Sequence, residues 1–430
     1  MILRSRRVVT PSGVRPATIH IRGEKIERVG DFEEPADVDY GDLVVMPGLV
    51  DSHVHVNEPG RTEWEGFESA TRAAAAGGVT TIVDMPLNSI PPTTSVDALL
   101  AKAQAMEGKC WVDVGLWGGA VPDNISQLKP MLREGALGFK CFLVDSGVAE
   151  FGFLDNLGLE AAMRELRDTN APLLVHAELP QFIGTAKGAS YRAYLQSRPS
   201  EAEDAAIDLV YQTAKRTHAR AHVVHLSSAA ALEILLRARD HRIPLTAETT
   251  PHYLHFEAEK IPDGAPQFKC APPIREHANR EELWRGIEDD LLAGIVSDHS
   301  PCAPELKHLQ DGNVERAWGG ISSLQFGLPI IWSEGRLEFE SIARLMCEGP
   351  AAIAGLEKGA IKPGYDADLV IWSPEESFRV TPDVVQHRHK ITPYSGEELR
   401  GVVKETHLRG RKVWQDGRAI GSPSGQWIRK

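Results

Sequence analysis

Two histidines one residue apart, His53 and His55, end the segment Met46-Pro47-Gly48-Leu49-Val50-Asp51-Ser52-His53-Val54-His55. On a strand, alternate side chains share a face, so both imidazoles could grip one metal ion. An isolated pair of this kind is more often structural than ligating. Its weight comes from what stands farther along the chain. Leu173-Leu174-Val175 delivers His176, and Val223-Val224 delivers His225, each at the end of an apolar run. Ile295-Val296-Ser297 ends in Asp298, a carboxylate that can hold a metal through one oxygen and take a proton on the other. Lys140 stands within Leu137-Gly138-Phe139-Lys140-Cys141-Phe142-Leu143, where an unpaired ammonium is costly to bury. The ordinary outcome is a lysine that extends its head to water. With apolar neighbours on both sides, the chemical outcome is a neutral amine that adds carbon dioxide. The resulting carbamate ends in a carboxylate-like group able to bridge two cations. His53, His55, Lys140, His176, His225 and Asp298 then give two metals about three protein ligands each, with room for a bridging hydroxide. His222 is read as packing elsewhere, and His299, next to Asp298, as projecting away.

These residues can meet only if strand ends converge. Apolar strand-like runs are predicted at 43–50, 79–84, 111–117, 137–142, 172–176, 221–225, 243–247 and 294–298. Helix formers at helical spacing fill 63–76, 159–168, 201–217, 229–239 and 276–292. Eight strands alternating with helices over about 250 residues predict a (β/α)8 barrel of the TIM type. Enzymes on that fold place their chemistry at the C-terminal strand ends, where the six residues would stand. The chain ends read differently. Short strands flank a turn at Arg22-Gly23-Glu24-Lys25, and the tail has the same texture at 368–372, 401–410 and 412–414. The expectation is a composite small β-sandwich-like domain from residues 1–48 and 357–430, with a barrel over 49–356.

Composition narrows the function classes. Of the 430 residues, 42% are hydrophobic and 25% charged, ordinary values for a globular enzyme. A net charge of -13 and the lack of any Lys/Arg block argue against a nucleic-acid partner. Arg4, Arg6 and Arg7 interleave with strand-like residues and precede no apolar core, so a signal peptide is not expected. No apolar run approaches the roughly 18 residues of a membrane span, so no membrane partner is expected either. Cys110, Cys141, Cys270, Cys302 and Cys347 are odd in number and form no Cys-x-x-Cys pair. They read as reduced thiols of a cytoplasmic protein, which leaves metal binding to the other donors.

The whole pattern resembles the amidohydrolase superfamily, in its group that hydrolyses cyclic amides. The resemblance runs from Met46-Pro47-Gly48 through Ile361-Lys362-Pro363-Gly364-Tyr365-Asp366-Ala367-Asp368-Leu369. It implies two divalent metal ions, zinc foremost with cobalt, manganese or iron as alternatives, bridged by an N6-carboxylated Lys140. It also implies a small-molecule substrate and assembly into homo-tetramers or dimers. The group includes dihydroorotases, hydantoinases or dihydropyrimidinases, and allantoinases. Dihydroorotases carry an arginine at the position of Asn57, suited to a substrate carboxylate. Asn57 either offers an amide to a neutral substrate or caps the turn before Glu58-Pro59-Gly60. Asp84-Met85-Pro86-Leu87-Asn88-Ser89 and Ala317-Trp318-Gly319-Gly320-Ile321-Ser322-Ser323-Leu324-Gln325 resemble the allantoinase branch. Asn88 and the backbone of Gly320 and Ile321 would then face substrate. Arg388-His389-Lys390-Ile391-Thr392-Pro393-Tyr394-Ser395-Gly396 resembles that branch too, although Glu397-Glu398 follows where an arginine is expected. Glu248-Thr249-Thr250-Pro251-His252-Tyr253 is shared across the group; His252 either touches substrate or braces a turn. The implied reaction opens the hydantoin ring of allantoin to allantoate, with Asp298 moving the proton. Three alternatives remain: a dihydroorotase with Arg61 as the needed cation, a hydantoinase, and a non-catalytic scaffold, which would have lost ligands.

Overall fold

Val44–Pro47 and Leu49–Val54 are two strands, and the break between them divides the molecule. Their pairing corrects the expectation of a single strand over 43–50. In the computed structural model, which describes residues 1–429, Val44–Pro47 pairs with Ile2–Thr10 and with Leu369–Arg379. Leu49–Val54 instead pairs in parallel with Val79–Asp84. Gly48 stands at the break. Its N–H donates to the Asp368 carbonyl at 2.8 Å, and a Cβ there would overlap the Thr80 side chain. Only glycine lets the two sheets approach this closely.

The barrel strands follow in chain order and are all parallel. They are Leu49–Val54, Val79–Asp84, Asp113–Leu116 continued by Gly118–Gly119, Phe139–Phe142, Leu173–His176, Ala221–Val223, Leu245–Thr249 and Gly294–Ile295. Closure comes beyond the last strand, where the His55 N–H donates to the His299 carbonyl at 2.8 Å. Closing the sheet leaves no bare edge. Parallel strands covered on both faces need continuous apolar or β-branched runs, and Val79–Asp84 is buried throughout. The helices obey the complementary rule. Asn156–Leu166 buries Leu159, Ala162, Met163 and Leu166 at helical spacing, and Asp155 caps it by accepting the Gly158 N–H at 2.8 Å. Val96–Met106 and Leu128–Glu134 also lie on the barrel, although neither was expected from the sequence.

Both chain ends join one nine-stranded mixed sheet. Its own apolar cluster includes Leu3, Val8, Ile19, Ile26, Leu369 and Ile371. Lys358 ties this sheet to the barrel floor, with Nζ 3.0 Å from Asp113, 3.0 Å from Asp366 and 2.6 Å from Asp368. Arg409 pairs with Asp113 as well. The three carboxylates are therefore answered by protein cations. No helix among the described residues is long and apolar enough to cross a membrane.

Candidate active site

At the C-terminal end of the barrel a cleft of about 510 Å³ is lined by His53, His55, Lys140, His176, His225 and Asp298. His53 Nε2 lies 3.1 Å and His55 Nε2 3.5 Å from Asp298 Oδ1. Ligand atoms of these three residues all fall within 4.8 Å of one another. Across the cleft, His176 Nδ1 is 3.1 Å from His225 Nε2. The His225 ring stands 5.3 Å from that of His53, so the two halves adjoin. Lys140 is 1% exposed, and among the described residues no hydrogen bond or ion pair reaches its Nζ. Its Nζ lies 4.8 Å from the Phe142 ring centre. Burial brings the pKa of this amine down to about 8, giving it an appreciable neutral fraction near neutral pH.

Two of these side chains depart from their expected strands. The sixth and eighth barrel strands end at Val223 and Ile295, short of the predicted 225 and 298. His225 and Asp298 then take left-handed backbone, with φ of 40° and 45°, and Asn88 has φ 75°. Such conformations strain a residue bearing a Cβ and persist where the surroundings over-determine them. All three stand just beyond a strand end, where they line the cleft.

Carboxylates behind the rings fix which nitrogen faces inward. His53 Nδ1 donates to Glu248 Oε1 at 2.7 Å, leaving Nε2 toward Asp298. Glu248 Oε2 lies 3.2 Å from His222 Nε2, which explains that histidine's place away from the cleft. His176 Nε2 contacts Glu178 Oε2 at 2.7 Å, and Arg198 grips Glu178 at 3.0 and 2.5 Å. An outer partner of this kind sets tautomer and ring orientation in metal sites. Sequence reasoning assigned no role to Glu178 or Glu248. The signal for Glu248 was present, an acid inside the buried strand Leu245–Thr249, the same kind of signal that marked Lys140.

The electrostatics ask for a cation. Burial opposes the Asp298 anion, yet the charge of His53 and hydrogen bonds with His53 and His55 hold its pKa well below the carboxylate range. Burial also opposes charge on His53, but the charge of Asp298 and hydrogen bonds to Asp298 and Glu248 raise it to about 9. A proton thus favours the place where a metal ion would compensate both acids. Burial lowers His55 to about 4 and also lowers His176 and His225, leaving neutral imidazoles of the form that ligates. Nitrogen and carboxylate donors in this number suit zinc and its neighbours.

Of the residues expected to face substrate, Asn88 and Gly320 line the cleft, whereas Asn57 and Ile321 do not. Asn57 is fully buried, and its Nδ2 donates to the Pro301 carbonyl at 3.2 Å. Ile321 is 1% exposed, and its carbonyl accepts from the Ser300 N–H at 2.9 Å. Gly320 has φ 146°, and a Cβ there would overlap the Ser300 carbonyl. Its loop is held by Lys307, which donates to the carbonyls of Trp318 and Gly320, and by Lys269, which donates to that of Ala317 at 2.7 Å. The sequence assigns neither lysine a role of its own, although Lys269 opens the segment Lys269-Cys270-Ala271-Pro272-Pro273-Ile274-Arg275, which is shared across the group. His299 turns away and accepts the Ser323 N–H at 3.1 Å on Nδ1. His252 is fully buried against Tyr253, outside the cleft lining.

Comparison with known proteins identifies the family. The sequence pattern of the Amidohydrolase family matches residues 44–413. The allantoinase of Streptomyces avermitilis is 49% identical, covering 97% of this chain and 96% of its own length. That of Saccharomyces cerevisiae is 44% identical over 89% of this chain and 86% of its own. Among solved structures, the L-hydantoinase (dihydropyrimidinase) of Arthrobacter aurescens superposes with a TM-score of 0.93 at 28% identity, covering 100% of this chain and 99% of that one. A barrel whose strand ends gather four histidines, a buried lysine and an aspartate, under a family pattern spanning most of the sequence, makes this chain a member of the amidohydrolase family.

Proposed function

We propose that the protein hydrolyses the ring amide of allantoin to give allantoate. The observation that carries the substrate is 49% identity to an allantoinase over nearly the whole chain; the likeness to the L-hydantoinase is lower, at 28%. His53, His55 and Asp298 would hold one divalent ion and His176 and His225 a second, with carboxylated Lys140 between them. Zinc suits these donors best, with cobalt, manganese or iron as alternatives. When bound, such ions polarise a carbonyl and lower the pKa of water. Asp298 Oδ1 faces the two histidines, so Oδ2 is the atom left to take the proton of the attacking water and return it to the departing ring nitrogen. Glu248 and the Glu178–Arg198 pair keep the imidazoles aligned, while Asn88 and Gly320 wall the substrate side.

The break at Gly48 supports a division into a small β domain of 1–48 with 357–430 and a barrel of 49–356. Five buried free cysteines suit a reducing compartment such as the cytoplasm. The assembly we propose is a homo-tetramer or dimer. Side-by-side turnover of allantoin, dihydroorotate and hydantoin by metal-loaded protein, with metal analysis, tests the reading. Allantoin should exceed the others by about 10-fold or more in kcat/KM. No turnover of allantoin sinks the substrate, and a chain that takes up no divalent metal sinks the centre.

A further inference from the structure

His53 and His176 each have a carboxylate behind the ring, but His225 Nδ1 is buried with no hydrogen-bond partner among the described residues. No acceptor turns this imidazole, so its direction is set by the main chain. That main chain is left-handed, with φ 40°, a conformation that a residue bearing a Cβ keeps only where its neighbours enforce it. On one side the barrel enforces it. The Val224 N–H donates to the Val175 carbonyl at 3.2 Å, and the Leu226 N–H to that of Glu248 at 2.8 Å. On the other side stands a buried ion pair, Arg275 with Glu203. Glu203, on the helix Ser200–Thr217, accepts the Ser227 N–H at 2.7 Å, the Ser227 hydroxyl at 2.8 Å and the Ser228 N–H at 3.0 Å. Arg275 Nη2 lies 3.1 Å from Glu203 Oε2, and its Nε donates to Ser227 Oγ at 3.0 Å. With Asn279 Nδ2 on its carbonyl at 2.8 Å, Ser227 has every polar atom held.

We infer that the Arg275–Glu203 pair positions the half of the centre formed by His176 and His225, and so governs retention of the second divalent ion. This role rests on the two-metal reading above. The remaining nitrogen of Arg275 extends the hold to His176. Nη1 donates to the Arg198 carbonyl at 3.2 Å, and the Arg198 side chain grips Glu178, the carboxylate on His176. One guanidinium thus reaches both histidines, His225 through Ser227 and His176 through Arg198 and Glu178. Its planar fork of donors suits three partners set apart in this way, where a lysine offers a single point of charge. Among the described residues, no hydrogen bond or ion pair joins Arg275 or Glu203 to His53, His55 or Asp298. Both are positioning residues, and for one ion of the two.

In zinc-loaded protein, Arg275→Met should release one ion of the pair to a chelator about 10–100-fold more readily than the parent does. The other ion should be held as firmly as before. Because this variant strands the Glu203 carboxylate, Arg275→Met with Glu203→Gln removes both charges and repeats the measurement should the single variant fail to fold. Added to His176→Ala, which lacks a ligand of the second ion, Arg275→Met should leave retention of the remaining ion unchanged. Parent-like retention of both ions, or equal loss of both, overturns the role, as does weaker retention in the His176→Ala background. If the parent chain binds one zinc ion or none, the two-metal reading falls, and this role with it.

Discussion

Glu248 holds two histidines at once, His53 through Oε1 at 2.7 Å and His222 near Oε2 at 3.2 Å. Burial opposes its charge, but hydrogen bonds with His222 and His53 bring its pKa down to about 2. Glutamine has the same shape without the charge. Glu248→Gln should therefore weaken metal binding about 10–100-fold, read by chelator titration. Unaltered affinity would reduce Glu248 to a packing residue. Residue type alone misleads in the other direction at Asn57. Its amide invites a substrate role, yet the side chain is fully buried and turned to Pro301. An arginine there would test folding before it tested binding, since it would bury a cation under the cleft.

Between elements, the helix Val96–Met106 reaches the strand Val79–Asp84 through a buried ion pair. Lys102 Nζ lies 2.7 Å from Asp84 Oδ2, with side-chain exposures of 0% and 1%. The same two residues clasp the backbone of Val56 on both sides: Lys102 donates to its carbonyl at 2.7 Å, and Asp84 Oδ1 accepts its N–H at 2.6 Å. Val56 directly follows His55, so the clasp fixes the chain as it leaves the site. Burial raises the Asp84 pKa to about 6 even with Lys102 beside it, a sign of how dry the pair is. Lys102→Met should then cost about 3–5 kcal/mol, measured by urea unfolding, because it strands a buried carboxylate. Adding Asp84→Leu should recover much of the loss; a double variant no more stable than the single would refute the ion-pair account.

For the whole molecule, His255 joins three segments. It ends the helix Pro251–His255 of the barrel and contacts Glu334 at 2.6 Å and Glu397, in the returning tail, at 2.8 Å. Burial alone would lower its pKa, but hydrogen bonds with Glu334 and Glu397 raise it to about 9. An unfolded histidine titrates near 6.5. Because the folded value is the higher one, the stabilisation is fully present below about pH 6.5 and is lost as pH rises through about 9. Its size is on the order of 3 kcal/mol. The melting temperature should fall across that window, and His255→Gln should flatten the fall. Equal slopes for parent and variant would show that the junction does not titrate.

The sequence by itself determined the barrel, the β texture of both chain ends and the six side chains that line the cleft. Those features are local: alternation along a strand, helical spacing, and a polar group set in an apolar run. His176 follows three apolar residues, and Lys140 interrupts an apolar segment, whatever the rest of the chain does. Tertiary structure alone decided what answers each buried polar group and which loop residues reach the cleft. Glu178 meets Arg198 from another segment, Lys102 meets Asp84 across a loop, and Asn88 faces the cleft while Asn57 lies beneath it. It also decided that the apolar run around Gly48 serves two sheets, because Val44–Pro47 finds its partner in the returning tail and Leu49–Val54 finds its own in the barrel. Such pairings depend on contacts between residues distant in sequence, and no local pattern encodes which distant residue arrives.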